Sequence, residues 1–436
     1  MDSTTMHWQH SIRFEGEATL SGLPESPAVF ALRGERPDSE PYLNKAANLR
    51  KRLERLLSPA SPESKRLNLA ASTQTIEYTL TGSDFENRLL LYRALREQFP
   101  RSYRKRMKLI PAALVKIGWE NEYPRAYFTR RLGRIPPFTR SEKAGAPEST
   151  KSTTSTSSIY YGPFASKASA NKFLNDALDL FKSRRCTFNI RPDPSFPGCM
   201  YSEMKMCLAP CFAGCTHDEY MREIARVQHY LDSRGASLAS QLEAERDAAS
   251  ASLEFEQASA IHSRIEKAKE PWTGIPEIVG RLDQLRAIIV QRSAIPDHVA
   301  LFEFRDGLLH GPVQFNVQGM QHANPTSGSS SLYAHPHLAA PVPLEDSKAP
   351  KAKPQTLESR VAEALAEIPA RRPERGEVAD HLALLKRWYY RSTKKGDAFI
   401  THSDELPLRR IVRGISRVFR GEKESGDRAI GSSPTG

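Results

Sequence analysis

The chain has no run near the roughly 20 consecutive apolar residues that a membrane-spanning helix needs, so no membrane partner is expected. Residues 1–20 hold no apolar stretch of the kind that opens a secretory signal, and a cytoplasmic, reducing compartment is the expectation. No internal repeat is visible. Cysteine is missing everywhere except between residues 186 and 215, where all five fall: Cys186, Cys199, Cys207, Cys211 and Cys215. In a reducing compartment such crowding points to metal ligation rather than to disulfides. The Cys-x2-Cys pair of the common zinc knuckle is also absent. The spacing is Cys186-x12-Cys199-x7-Cys207-x3-Cys211, with Cys215 four positions on. Four thiolates suit tetrahedral zinc or a cubane iron–sulfur cluster, and spacing alone leaves both open.

Acids are scarce relative to bases. The formal charge is +12 and the pI about 9.4, a balance that favours polyanions through counterion release, or else a solvated basic surface. The excess is concentrated between Arg96 and Arg134. Arg101, Arg104, Lys105, Arg106, Arg130 and Arg131 are candidate DNA contacts there, with Tyr103, Tyr123, Tyr127 and Phe128 interleaved. Bases beside aromatics suit phosphate contact combined with base stacking.

Along the chain, residues 1–25 are an extension and 26–134 read as a small α/β domain with a mixed sheet. Strands are expected at 27–32, around Tyr42, at 75–81 and at 111–118. A helix at 49–57 is capped by Asn48, and another at 83–99 by Ser83 with Glu86 three residues on, a capping-box pattern. Residues 135–158 are a Ser/Thr-rich linker, and 159–216 the cysteine-bearing module. Residues 217–270 carry helical periodicity broken near Gly235, read as two antiparallel helices. Residues 271–421 are an α+β region with a hairpin turn at Asp306-Gly307, and 422–436 a tail.

The string at 160–186, followed by Pro-Gly-Cys199 and Cys207-Leu-Ala-Pro-Cys211, resembles the cysteine-rich region of the UvrC family, which makes the incisions of nucleotide-excision repair. The resemblance implies a 4Fe–4S cluster, with zinc the alternative, on Cys186, Cys199, Cys207 and Cys211; Cys215 lies outside the pattern. Residues 253–266 resemble the UVR motif, a helical hairpin that docks on UvrB. Leu253, Phe255, Ala258, Ile261 and Ile265 give an apolar stripe, rimmed by Glu254 and Glu256, of the kind that enters a partner's groove. The usual Arg-Asp pair of that motif is His262-Ser263 here.

Upstream, residues 27–57 resemble a GIY-YIG nuclease domain. By that resemblance Tyr42, Lys45 and Arg52 are remnants of the catalytic site. Three family parts are missing: the first-strand tyrosine is Phe30, the glycine after Tyr42-Leu43 is Asn44, and the metal-binding glutamate aligns with Leu91. A hydrocarbon cannot hold the Mg or Mn ion that an active site would need, and losing one electrostatic element typically costs about two to three orders of magnitude in rate. The family's second nuclease should follow the UVR segment. Here Asp283 and Asp306 are the acids considered as remnants, and they make no two-metal set.

The sequence is therefore read as an α/β GIY-YIG-like domain, a cysteine-rich metal module, a helical hairpin and a C-terminal α+β region. The implied function is a UvrC-like protein that binds double-stranded DNA and docks on a UvrB-like partner, with an inactive nuclease site. The alternatives are an active metal-dependent endonuclease nicking damaged DNA, and an interaction module without DNA affinity.

Overall fold

The computed structural model describes residues 6–36, 39–58, 67–133, 158–318, 356–369, 371, 373–374, 376–403 and 405–421. The expected linker, apart from Ser158, and the expected tail lie outside them.

Among the described residues, three four-stranded sheets carry the fold. The first holds β1 (His10–Arg13), β2 (Ala28–Arg33), β3 (Tyr42–Ala46) and β4 (Thr75–Leu80) in the order β1-β4-β2-β3. Every pairing is antiparallel, where a mixed sheet was expected. The extension is part of this domain, because β1 pairs with β4 and the short α1 (Glu17–Ser21) packs near α2 (Leu49–Leu57). Asn48 caps α2 through the Lys51 N–H, as read from sequence.

α3 (Asp84–Gln98) covers the opposite face of this sheet and is buried on nearly every side. An apolar stripe would suffice for a helix facing one layer; burial all round means a second layer on its far side. That layer comes from the other end of the chain. α11 (Glu377–Tyr389) lies against α3, and α4 (Tyr103–Met107) is tied to it by Tyr103 and Arg104, both bonded to Asp380.

The strand pairing crosses the boundary expected at residue 134. β5 (Ala113–Ile117) does not join the first sheet. It takes β6 (Ala126–Thr129) on one edge and β7 (Ile159–Phe164) on the other, and β8 (Gly280–Arg281) completes the order β6-β5-β7-β8. A buried strand needs both its edges bonded, and β5 finds its second partner beyond the linker. α5 (Lys167–Leu178) packs on this sheet.

Three helices follow the cysteines rather than two. After the four-residue α6 (Met200–Glu203) come α7 (His217–Asp232), α8 (Ala236–Ala251) and α9 (Phe255–Lys269). The break at Gly235 separates α7 from α8, and a second break at 252–254 makes α8 and α9 the hairpin.

The third sheet is ordered β11-β10-β9-β12, from β9 (Arg286–Arg292), β10 (His298–Arg305), β11 (Leu308–Asn316) and β12 (Asp397–Thr401). β10 and β11 turn at Asp306-Gly307, both at positive φ, as that dipeptide demands. Both faces of this sheet are covered. Ala287, Ile289, Phe302 and Phe304 face the large cluster shared with α3 and α11, while Ile288, Val290, Val299 and Leu301 face α10 (Leu357–Ala366) and α12 (Leu408–Arg420). One hydrophobic cluster thus runs from α3 through the second sheet and α5, α7, α8 and α9 to α11. The C-terminal region is built into the core of the rest.

Candidate functional sites

The cysteines sit where α5 gives way to irregular backbone. Arg184 is buried and fixes this segment: its Nε donates to Tyr123 O at 2.9 Å and its Nη1 to Phe188 O at 2.7 Å, with Cys186 Sγ 3.8 Å away. Leu208 N–H donates to Lys182 O, drawing the Cys207–Cys211 loop back to the end of α5. That loop turns through Ala209 and Ala213, both left-handed at φ 57° and 58°, on either side of Cys211. Such angles are costly for a residue with a Cβ and mark a backbone held by its surroundings.

The four expected thiols lie near enough to influence one another's ionisation. Burial, and then the neighbouring Cys186, Cys211 and Cys199, push Cys207 up to about 11, against the pull of the Ala209 N–H at 3.3 Å from its Sγ. Cys211 is raised by burial and then by Cys199 and Cys186. Cys215 is raised by burial, then by Glu219, and of the other thiols feels only Cys211, so it stands at the margin. Among the described residues, no three His, Cys, Asp or Glu donors close to metal-holding geometry. Two of the sulfurs already have donors of the kind that suits a thiolate: Cys207 Sγ accepts from the Ala209 N–H at 3.3 Å, and Arg184 Nη1 lies 3.8 Å from Cys186 Sγ.

The expected nuclease remnants do not form one site. Tyr42 Oη accepts from Asn44 Nδ2 at 2.9 Å and Arg52 Nη2 at 3.4 Å, on the α2 side of β3. Phe30 lies beside it, with ring centroids 6.2 Å apart. Lys45 is an odd number of residues away and points to the opposite face. There its Nζ pairs with Asp84, which also accepts from Arg88 Nε at 2.8 Å and Arg391 Nη1 at 2.6 Å. Burial opposes ionisation of Asp84, but the bonds from Lys45 and Arg88 outweigh it and draw the carboxyl down to about 2.

Leu91 is buried in the large cluster. Glu86 is buried as well. Its N–H is capped by Ser83, as the sequence pattern indicates, but its carboxylate takes the Gly82 N–H at 2.8 Å. Burial raises it to about 7 despite that bond and Arg93. Arg88 and Arg391, the further partners of Asp84, lie outside the residues expected to form the site. The i,i+4 spacing of Asp84 and Arg88 was a signal for the first; nothing local announces the second.

The basic segment is only partly free. Arg104 is bonded to Asp380 at 2.8 Å, and Arg106 pairs with Glu40 at 3.1 Å while lying over the Phe99 ring. Arg101, Lys105, Arg130 and Arg131 are exposed. Tyr103 and Tyr123 are core residues, while Tyr127 and Phe128 are half-buried, with Arg125 over the Tyr127 ring and Lys167 over that of Phe128. Asp283 pairs with Arg281, and Asp306 occupies its turn.

The expected docking stripe divides in two. Ile261 and Ile265 are buried within the hairpin's own seam and Ala258 is half-buried, whereas Leu253 and Phe255 are 72% and 65% exposed at the tip, beside exposed Glu256. Leu253 has φ 60° and follows the end of α8, with Glu254 N–H closing onto Ala249 O at 2.9 Å. Glycine is favoured at such a position; a large exposed leucine stands there instead.

Residues 136–230 match the family model described as UvrC/Cho excinuclease, middle domain. The chain is 27% identical over 300 residues to the UvrABC system protein C of Methanothermobacter thermautotrophicus, covering 68% of this chain and 46% of that protein. It is 28% identical over 302 residues to the protein of the same name from Desulforudis audaxviator, covering 68% and 44%. Against that of Rickettsia felis it is 28% identical over 284 residues, covering 63% and 39%. The chain thus spans less than half the length of these curated relatives. No solved structure matches. The chain is thus similar to UvrABC system protein C over about two thirds of its length, and its cysteines lie within the residues that match the UvrC/Cho excinuclease middle-domain model.

Proposed function

We propose that the chain is a DNA-binding, partner-docking protein of nucleotide-excision repair whose GIY-YIG-like domain does not cleave. One observation carries this reading: the carboxylates around the site are committed elsewhere. The position of the metal glutamate is Leu91, in the core; Glu86 is buried on the Gly82 N–H; Asp84 is held by Lys45, Arg88 and Arg391. A divalent cation brought to Asp84 would meet three positive side chains. Tyr42 and Arg52 lie across the strand from that carboxylate, so no phosphate contacts all the remnants at once.

In this reading Cys186, Cys199, Cys207 and Cys211 hold a 4Fe–4S cluster, with zinc as the alternative. The metal centre would staple a module of irregular backbone and, as an iron–sulfur cluster, would add a one-electron redox couple. Leu253, Phe255 and Glu256 at the hairpin tip dock on a UvrB-like partner; the support is their exposure and the left-handed leucine. DNA affinity is supported by the basic excess and by exposed Arg101, Lys105, Arg130 and Arg131.

A nicking assay on damaged duplex with Mg²⁺ or Mn²⁺ tests the reading, with no cleavage expected. Robust nicking that Arg52→Ala abolishes would establish the active endonuclease instead. Duplex binding that is absent at low salt would favour the module without DNA affinity.

A further inference from the structure

The Asp84 carboxylate has more positive charge around it than it can balance. Lys45 comes from β3, Arg88 from α3, and Arg391 from the turn after α11. Arg387 lies one helical turn before Arg391, exposed, with Nη1 3.4 Å from Met107 O. Four cations against one carboxylate leave three positive charges in one place. They sense one another: burial lowers Lys45 and Arg387, and for each the nearby arginines Arg88 and Arg391 lower it further. Gathering like charges is unfavourable unless an anion compensates it.

The positive strip continues along α11. Lys386, the neighbour of Arg387, is lowered by burial and then by Arg130 at the end of β6. From Arg130 through Lys386, Arg387 and Arg391 to Arg88 and Lys45, four segments distant in sequence contribute cations to one side of the molecule. A bare phosphate would saturate Lys45, Arg88 and Arg391 alone; a strip that runs on to Arg130 suits a repeating anion.

We propose that Lys45, Arg88, Arg387 and Arg391 form a phosphodiester-binding site for a DNA backbone, in which the Asp84 carboxylate occupies the place a phosphate takes. The proposal rests on the DNA-binding reading above and gives it an address on the opposite face of β3 from Tyr42 and Arg52. Asp84 is an internal competitor: it preorganises the three cations that hold it and weakens binding by occupying them.

The test is duplex affinity of the full-length protein, by fluorescence anisotropy over a salt series. Arg387→Ala/Arg391→Ala should weaken binding about tenfold or more and lower the log–log salt slope by roughly 2, since each phosphate contact contributes about 0.9. Arg387→Ala alone should lower it by roughly 1; this variant leaves the Asp84 ion pairs intact and guards against misfolding of the double variant. Asp84→Asn should tighten binding several-fold. Asp176→Asn, which removes a distant acid paired with Lys172, should change little. Wild-type protein that fails to bind duplex at low salt would overturn the DNA-binding reading and the site with it. Wild-type binding with unchanged slopes in the arginine variants would overturn the site alone. Equal tightening by Asp84→Asn and Asp176→Asn would reduce the effect to bulk charge and overturn it too. Displacement of DNA by polyglutamate that is insensitive to Asp84→Asn would assign the strip to acidic proteins, again against the proposal.

Discussion

Tyr103 donates its hydroxyl to Asp380 Oδ2 at 2.6 Å, joining α4 to α11 across 277 residues of sequence. The same carboxylate receives Arg104 Nε at 2.8 Å and is itself almost wholly buried. Removing the carboxylate leaves the buried Tyr103 hydroxyl without its acceptor, while Arg104, about half exposed, can be hydrated instead. Asp380→Ala should cost about 1–3 kcal/mol, read as a drop in the urea midpoint. An unchanged midpoint would mean that α11 does not hold α4 and α3 in solution.

Glu86 gives the fold a specific pH dependence. Its folded value of about 7 lies above the ordinary 4.5, so its stabilising contribution is full below about 4.5 and is lost as pH rises through 7. That span corresponds to a ceiling of about 3 kcal/mol. Glu86→Gln keeps an acceptor for the Gly82 N–H without the charge. Its stability relative to wild type should therefore climb between pH 5 and pH 8 in denaturant titrations; a constant difference would contradict burial of the carboxyl.

The two halves of the UVR-like stripe should separate experimentally. Phe255→Ala, at the exposed tip, should leave stability within about 0.5 kcal/mol while abolishing capture of a purified UvrB-type partner. Ile265→Ala, in the seam, should cost about 2–5 kcal/mol. If Phe255→Ala bound the partner like wild type, the tip would not be the contact.

Gly414 lets α12 press onto the third sheet. A Cβ there would stand 2.2 Å from Phe399 Cζ and 3.0 Å from Asp397 Oδ2, which itself accepts from Arg417 at 2.8 Å. Gly414→Ala should lower stability by about 1–3 kcal/mol through overpacking, despite alanine's better helix propensity. A rise in melting temperature would show that α12 can lift away at little cost.

Metal content tests the proposed role of the thiols. Anaerobically purified protein is expected to contain iron, to absorb in the visible and to lose both on chelation. Cys207→Ser and Cys211→Ser should each deplete it strongly, and Cys215→Ser should leave it intact. Iron or zinc retained in the first two and lost in the third would redraw the ligand set.

Much of this was readable locally, and what was not has a common cause. The cap of α2 at Asn48, the Asp306-Gly307 turn and most strands follow from patterns a few residues long. So did the crowding of cysteines. The second edge of β5 did not, because its partner β7 lies across more than forty residues of unrelated composition. The UVR-like stripe was misdivided because periodicity identifies an apolar face without saying whether the helix's own hairpin partner fills it. The clamp on Asp84 was invisible because Arg391 reaches it across 307 residues, and a basic residue at a helix end looks the same whether solvated or paired.

The burial of α3 bears on how the chain is made. Its sheet-facing side can be covered as soon as residues up to about 100 are available, but the side that receives α11 stays open until residues 377–389 have been synthesised. A nascent chain therefore carries an exposed apolar helix flank, around Tyr92 and Leu95, through most of translation. Exposed surface of that kind invites chaperones and aggregation. Truncations that end before α11 should be insoluble even though the first sheet they contain is complete, and the N-terminal domain is best expressed with α11 supplied, fused or in trans.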